Sequence, residues 1–278
     1  MIPDSPGPPE PYQPFQHYYA PPPVQRPRRG GVSGAIASGF MAVLAFLKYG
    51  GLLLLKLPLL PTLLSLIVSF GAYAIFFGPW FAIGILLMIF VHEMGHVIEI
   101  RRQGMTATAP LFIPFMGAAI FQRSHPTDAL RQAEIGIAGP IAGTLGATAS
   151  FFLYGATHNP VFLAWAYLGF FINLFNLIPL GMLDGGWILA VVSKWFQLIG
   201  VAGMLAAVLL LGFSPIILII AILAIPTVIS RFRNDRSAYY QSVPVGARLA
   251  MGAAWLFLSA YLGYAAFQAH LLLSGLVR

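Results

Sequence analysis

The run Trp80-Phe81-Ala82-Ile83-Gly84-Ile85-Leu86-Leu87-Met88-Ile89-Phe90-Val91 leads without a break into His92-Glu93-Met94-Gly95-His96. Its first twelve residues have the length and apolar composition of a helix held in an apolar medium. The five that follow put two imidazoles and a carboxylate at the end of that helix. Residues four apart share a helix face, so His92 and His96 can both aim a ring nitrogen at one metal ion. Glu93, one step round, can reach a water on that ion without displacing either histidine.

H-E-x-x-H on a helix is the pattern in which two ligands and a general base of a zinc protease come from one element. A chain of this composition would produce it by chance about 2 times in 1,000. The plain alternative is a polar helix end whose histidines bond to neighbouring helices or headgroups. Against it, ionisable groups within membrane spans are costly and usually functional.

The setting follows from composition. Of 278 residues, 59% are hydrophobic and 8% charged, which places the chain in the polytopic membrane class. With no cysteine, a metal must be held by His, Asp or Glu. Residues 1–30 lack the apolar core that a cleavable signal peptide needs. They carry ten of the 22 prolines and end in Arg26-Pro27-Arg28-Arg29, a disordered, partly polyproline tail. Pro8, Pro11 and Pro14 have the PxxP spacing of adaptor ligands, which leaves a tail-binding partner open, although a plain solvated tail is the better reading of so proline-rich a stretch.

Residues 31–57 are apolar but carry Lys48 and Lys56, and read as an in-plane or spanning segment. Spans are expected at 58–77, 80–100, 130–157, 160–180, 188–212, 214–230 and 247–273. Gly212-Phe213-Ser214-Pro215 would divide an over-long apolar stretch into two crossings. The fold expected is therefore an all-α polytopic membrane protein of about six to seven transmembrane helices. Residues 58–230 would be its embedded core, and 231–278 a basic cytoplasmic loop and a final helix.

The charges agree with that layout. With a cytoplasmic tail, fourteen of the fifteen Lys and Arg residues fall on the inner side, and only Arg278 falls outside. Topology thus accounts for the formal charge of +7, and nucleic acid is not needed as a partner. The lipid bilayer is. His92, Glu93 and His96 come to lie near the cytoplasmic end of their span, just before Arg101-Arg102.

A catalytic zinc takes three protein ligands and keeps one open position. Glu99 is the nearest candidate in sequence, but stands about 7–8 Å further along the helix axis; it suits Arg101 or Arg102 better. Asp184 is the only acidic residue between Glu134 and Asp235, and follows Asn176-Leu177-Ile178-Pro179-Leu180-Gly181-Met182-Leu183. Pro179, Gly181, Gly185 and Gly186 should break the helix there, at the depth of the histidines. Taken alone, Asp184 would be a loop residue capping a helix that starts near Trp187; paired with the histidines, it reads as the third ligand. Asn173 and Asn176 lie inside an apolar run. A buried amide can donate to an oxyanion or simply bond between helices. We read Asn176 as functional and Asn173 as structural.

These residues resemble the site-2 protease family of intramembrane zinc metalloproteases. The resemblance rests on His92-Glu93-Met94-Gly95-His96 and on Asn176-x-x-Pro179-x-x-x-Leu183-Asp184-Gly185. Gly136-Ile137-Ala138-Gly139-Pro140 and Ile113-Pro114-Phe115-Met116-Gly117-Ala118 support it, and it covers roughly residues 58–230. It implies His92, His96 and Asp184 as ligands of one Zn2+, Glu93 as general base, and Asn176 in the substrate or oxyanion region. It also implies a transmembrane protein substrate, cut in or near its own span. No stretch suits an inserted PDZ domain, and no nucleotide-sensing module follows the core.

A helical substrate must unwind before its peptide bonds can be reached. The segment 110–120 is apolar, proline-flanked and short for a span. It reads as a membrane-dipping strand or loop that could hold unwound substrate by strand addition, or that fills space beside the site. Gly136, Gly139 and Gly143 would permit close helix packing. Two other functions compete. A non-proteolytic membrane scaffold would be marked by loss of Glu93, which is intact. A metal or solute transporter would need polar groups along a path across the bilayer, whereas here they cluster at one depth.

Overall fold

Apolar runs punctuated by proline, glycine and Asx residues become helices whose ends those residues set. The computed structural model describes residues 59–211 and 215–276; the expectations for residues 1–57 and for the break at 212–214 lie outside the described residues. All described residues belong to one compact unit. In chain order they form α1 (Leu60–Phe77), α2 (Pro79–Arg102), β1 (Leu111–Ile113), β2 (Gly117–Ala119) and α3 (Ala129–Thr157). Then follow α4 (Pro160–Asn176), α5 (Asp184–Val192), α6 (Trp195–Leu211), α7 (Pro215–Arg233), α8 (Ala238–Gln241) and α9 (Val245–Leu276).

The helix boundaries have local causes. Pro79 and Pro160 start α2 and α4, where a missing N–H costs nothing. Asp128 accepts from the Arg131 N–H at 3.0 Å and caps α3; Asn159 accepts from the Val161 N–H at 3.0 Å and caps α4. Between α1 and α2 the chain reverses at Gly78, whose φ of 87° a side chain would rarely adopt.

The molecule is an all-α polytopic membrane protein. Helices α1, α2, α3 and α9 are long and apolar enough to cross a bilayer, and shorter apolar helices, α4 among them, accompany them. The described strand is a single antiparallel hairpin, with Leu111 opposite Ala119 and Ile113 opposite Gly117. Two boundaries differ from expectation. The span expected at 160–180 ends at Asn176, and that expected at 188–212 is two helices, α5 and α6, separated at Ser193-Lys194. Pro179 and the glycines end α4 early and let a new helix begin four residues sooner than expected.

The main core lies where α2, α3, α4, α5 and α9 meet, with Met88, Ile137, Phe170, Ile188, Leu258 and Leu262 buried together. The outward face of α1 carries exposed Leu63, Ile67, Val68 and Ile75, a surface that lipid can cover. Several helix ends that bear cations meet one another. Gln103, after α2, donates to the Arg131 carbonyl of α3; Arg231 and Arg248 donate to carbonyls of α5.

Candidate metal centre

α2 presents His92, Glu93 and His96, with relative exposures of 4%, 8% and 6%. Asp184, 7% exposed, reaches them from α5. Its carboxylate oxygens lie 3.1 Å from Nε2 of His92 and 3.3 Å from Nε2 of His96, and the two Nε2 atoms are 3.1 Å apart. Asp184 is the first residue of α5, not its cap. The capping position is Leu183, and no side chain caps the helix. The ligand set expected from sequence is thus brought to one point.

Each ring is oriented through its other nitrogen. The Asn173 amide donates to the Gly169 carbonyl at 2.6 Å, so its Oδ1 faces His92 and accepts the Nδ1–H at 2.8 Å. His96 donates its Nδ1–H to the Ile135 carbonyl at 2.7 Å. Each ring, when neutral, therefore carries its proton on Nδ1 and turns its Nε2 toward the other ring and toward the carboxylate. Oδ2 of Asp184 is buried without a hydrogen-bond partner among the described residues. Two ring nitrogens and a carboxylate converging in a buried site are an environment that a cation can fill. Tetrahedral zinc, with Zn–N near 2.0–2.1 Å, separates its ligand atoms by about 3.3 Å. The residues fit zinc.

Asn173, read as bonding between helices, does so: from α4 it reaches α2, where it orients His92, and it is fully buried. Its place in an apolar run on α4 gave no pointer to α2. Asn176 lies one turn on, half-buried, with its amide donating to the Ile172 carbonyl at 3.1 Å. It lines the cavity beside the histidines but touches none of them. Glu99 is bound at 2.7 and 2.8 Å to Arg102, as expected, and is no ligand.

The glycines of α3 do more than admit a neighbouring helix. A Cβ on Gly139 would stand 2.2 Å from the His96 Nε2, one on Gly143 2.2 Å from the Asn173 Oδ1, and one on Gly136 3.3 Å from the Asp184 carbonyl. α3 is thus the wall against which the His96 ring, the Asn173 amide and the Asp184 backbone are all seated. Gly185 serves the turn before α5, since a Cβ there would stand 2.0 Å from the Leu177 carbonyl. Trp255 of α9 donates to that same carbonyl at 2.8 Å and braces the turn from outside.

A cavity of about 330 Å³ adjoins the centre, lined by His92, Glu93 and Asn176, by Tyr73 of α1, and by the hairpin. The hairpin is held by α1: Ser65 accepts from the Phe112 N–H at 3.0 Å and Tyr73 from the Phe115 N–H at 2.9 Å. Because the Phe112 N–H points away from β2, Phe112 and Ala118 form a non-hydrogen-bonded pair. The N–H and C=O of Ala118 must therefore point to the outer edge of β2, beside the cavity.

A buried two-histidine, one-aspartate cluster with a glutamate at its side, set in a membrane helix bundle, defines a membrane-embedded H-E-x-x-H metal centre. Residues 80–160 match the model of Peptidase family M50, and with it the resemblance to the site-2 proteases stands. The matched segment carries His92, Glu93, His96 and the α3 glycines. A zinc metalloprotease of Methanocaldococcus jannaschii is 32% identical over 123 residues, which are 41% of this chain and 35% of that relative. The chain thus spans about a third of the length of the curated relative it matches.

Proposed function

We infer that this protein is an intramembrane zinc endopeptidase. It hydrolyses a peptide bond in or near the transmembrane segment of single-span membrane proteins. His92, His96 and Asp184 hold the metal, Glu93 is the general base, and residues 58–230 form the catalytic core. The observation that carries this reading is the convergence of the Nε2 atoms of His92 and His96 and the buried Asp184 carboxylate beside Glu93, next to a cavity walled by a strand edge.

A zinc ion held there would supply Lewis acidity and bring the pKa of a water down to about 7. Glu93, in the same cavity wall as His92, takes the proton of the attacking water and delivers it to the leaving amine. Asn173 and the Ile135 carbonyl keep both imidazoles in the Nδ1–H form throughout. Asn176 spends one amide hydrogen on the Ile172 carbonyl, which leaves the other for a developing oxyanion. The outer edge of β2 takes the unwound substrate as an added strand, with Ala118 supplying one donor and one acceptor. The gathering of cationic helix ends supports a cytoplasmic position for the site and the N-terminus, in a cell membrane.

The test is cleavage in reconstituted vesicles. The purified protein, mixed with single-span substrates, should give products cut within or beside the span, and 1,10-phenanthroline should abolish them. Cleavage that persists after zinc is stripped would overturn the proposal.

A further inference from the structure

α5 is nine residues long and carries Asp184 at its first position, with no side chain capping that end. A helix this short has little stability of its own, so its partners decide where it sits. Its apolar side, with Ile188, Leu189 and Val191 buried, holds it against its neighbours. Apolar burial is non-directional, so the axial position of α5 is left largely to directional bonds.

Those bonds come from three other helices. The Gln197 amide of α6 donates to the Gly186 carbonyl at 2.7 Å. At the far end, where a helix leaves its last carbonyls without backbone partners, two guanidiniums take the place of the next turn. Arg231 of α7 donates through Nε to the Ala190 carbonyl, and Arg248 of α9 through Nη1 to the Val191 carbonyl, both at 2.9 Å. Both arginines are themselves anchored. Arg231, 3% exposed, is bound at 2.8 Å to Asp235 and lies 3.8 Å over the Tyr240 ring. Arg248 donates also to the carbonyls of Val243 and of the same Tyr240. The connection between α7 and α9 clips both cations onto the end of α5.

α9 reaches the other end of α5 as well. Arg248, Gly252 and Trp255 share one of its faces, at spacings of four and three. A Cβ on Gly252 would stand 3.6 Å from the Val192 side chain, and Trp255 donates to the Leu177 carbonyl in the turn before α5. One helix face therefore braces α5 from its last residues back to the turn that leads into it.

We propose that Arg231 and Arg248 are positioning residues for Asp184, a role that rests on Asp184 being the third zinc ligand. Through the axis of α5 they fix the depth at which its carboxylate meets His92 and His96. Val191 lies seven residues beyond Asp184, about 10 Å along the helix, so Arg248 acts through the helix and not by contact. Charge alone gives the opposite expectation. A cation at that range repels a metal ion, and its removal would tighten zinc binding.

The experiment measures zinc affinity of the full chain in detergent, by competition with a zinc-binding dye, for the parent, Arg248→Lys and Arg248→Met. Lysine keeps the charge but loses the fork that spans three carbonyls, and should weaken zinc binding severalfold. Methionine keeps only the stem and should weaken it about tenfold, the order of loss that follows when a support of a metal ligand is removed. With cobalt in excess, the visible absorption of Arg248→Met should shift toward that of Asp184→Ala, which partial unfolding alone does not produce. Arg248→Lys, the milder change, carries the test if circular dichroism shows that Arg248→Met does not fold. Variants that bind zinc as tightly as the parent, or Arg248→Met binding it more tightly, would overturn the positioning role and leave the arginines as helix caps. A parent that takes up no zinc would overturn the metal centre itself, and the positioning role with it.

Discussion

A methyl group on Gly139 would stand 2.2 Å from Nε2 of His96, inside the space that the imidazole itself occupies. α3 therefore sets the position of a ring that belongs to α2. Gly139→Ala should displace that ring and lower zinc content at least about tenfold without preventing membrane insertion. Metal analysis of the purified variant, beside its circular dichroism spectrum, checks this. A variant that keeps one zinc per chain would show that α3 can retreat.

Under the proposed function, Asn173 acts on the metal through His92. Asn173→Leu removes the acceptor that fixes the Nδ1–H form and should weaken zinc binding by about 10–100-fold. Asn173→Asp restores an acceptor and should recover much of the loss. Competition with a zinc-binding dye measures both, and equal loss in the two variants would mark Asn173 as packing alone.

Ala118 offers its backbone to the outer edge of β2. Because Phe112 and Ala118 do not exchange ladder bonds, Ala118→Pro removes only the outward N–H. Zinc content should stay unchanged while cleavage of a helical substrate falls at least about tenfold, chiefly through KM. Unchanged cleavage would remove strand addition from the mechanism.

Lys194 and Arg231 hold the carboxyl of Asp235 below the usual carboxylate range. A depressed folded-state value stabilises above the unfolded pKa of about 3.9 and is lost as pH falls through the folded value. The parent should therefore melt above Asp235→Asn at neutral pH, by at most a few degrees for a half-buried carboxylate at the surface. The gap should close in acid below the unfolded value. A gap that persists at pH 2 would mean that Asp235 acts by shape and not by charge.

Much of the centre was legible because its signals are local or chemically rare. H-E-x-x-H needs only helical spacing, and a lone acid between Pro179 and two glycines announces a break; the structure brings that acid to the two histidines. The orienting contacts were not legible, because each joins residues far apart in sequence. Asn173 meets His92 across 81 positions and Trp255 meets Leu177 across 78. The α3 glycines were seen as packing residues, but nothing in their spacing says that what packs on them is His96 and Asn173. The hairpin was half legible: a proline-flanked apolar segment suggested a strand or loop, while the outward edge of Ala118 depends on which partner Phe112 chooses.

The measurement that bears most directly on the account compares bound zinc and substrate cleavage in the parent, Glu93→Gln and Asp184→Ala. One zinc per chain is expected in the parent and in Glu93→Gln, with cleavage by the parent only and loss of zinc in Asp184→Ala. A parent that binds no zinc, or an Asp184→Ala variant that keeps both its zinc and its cleavage, would contradict this expectation.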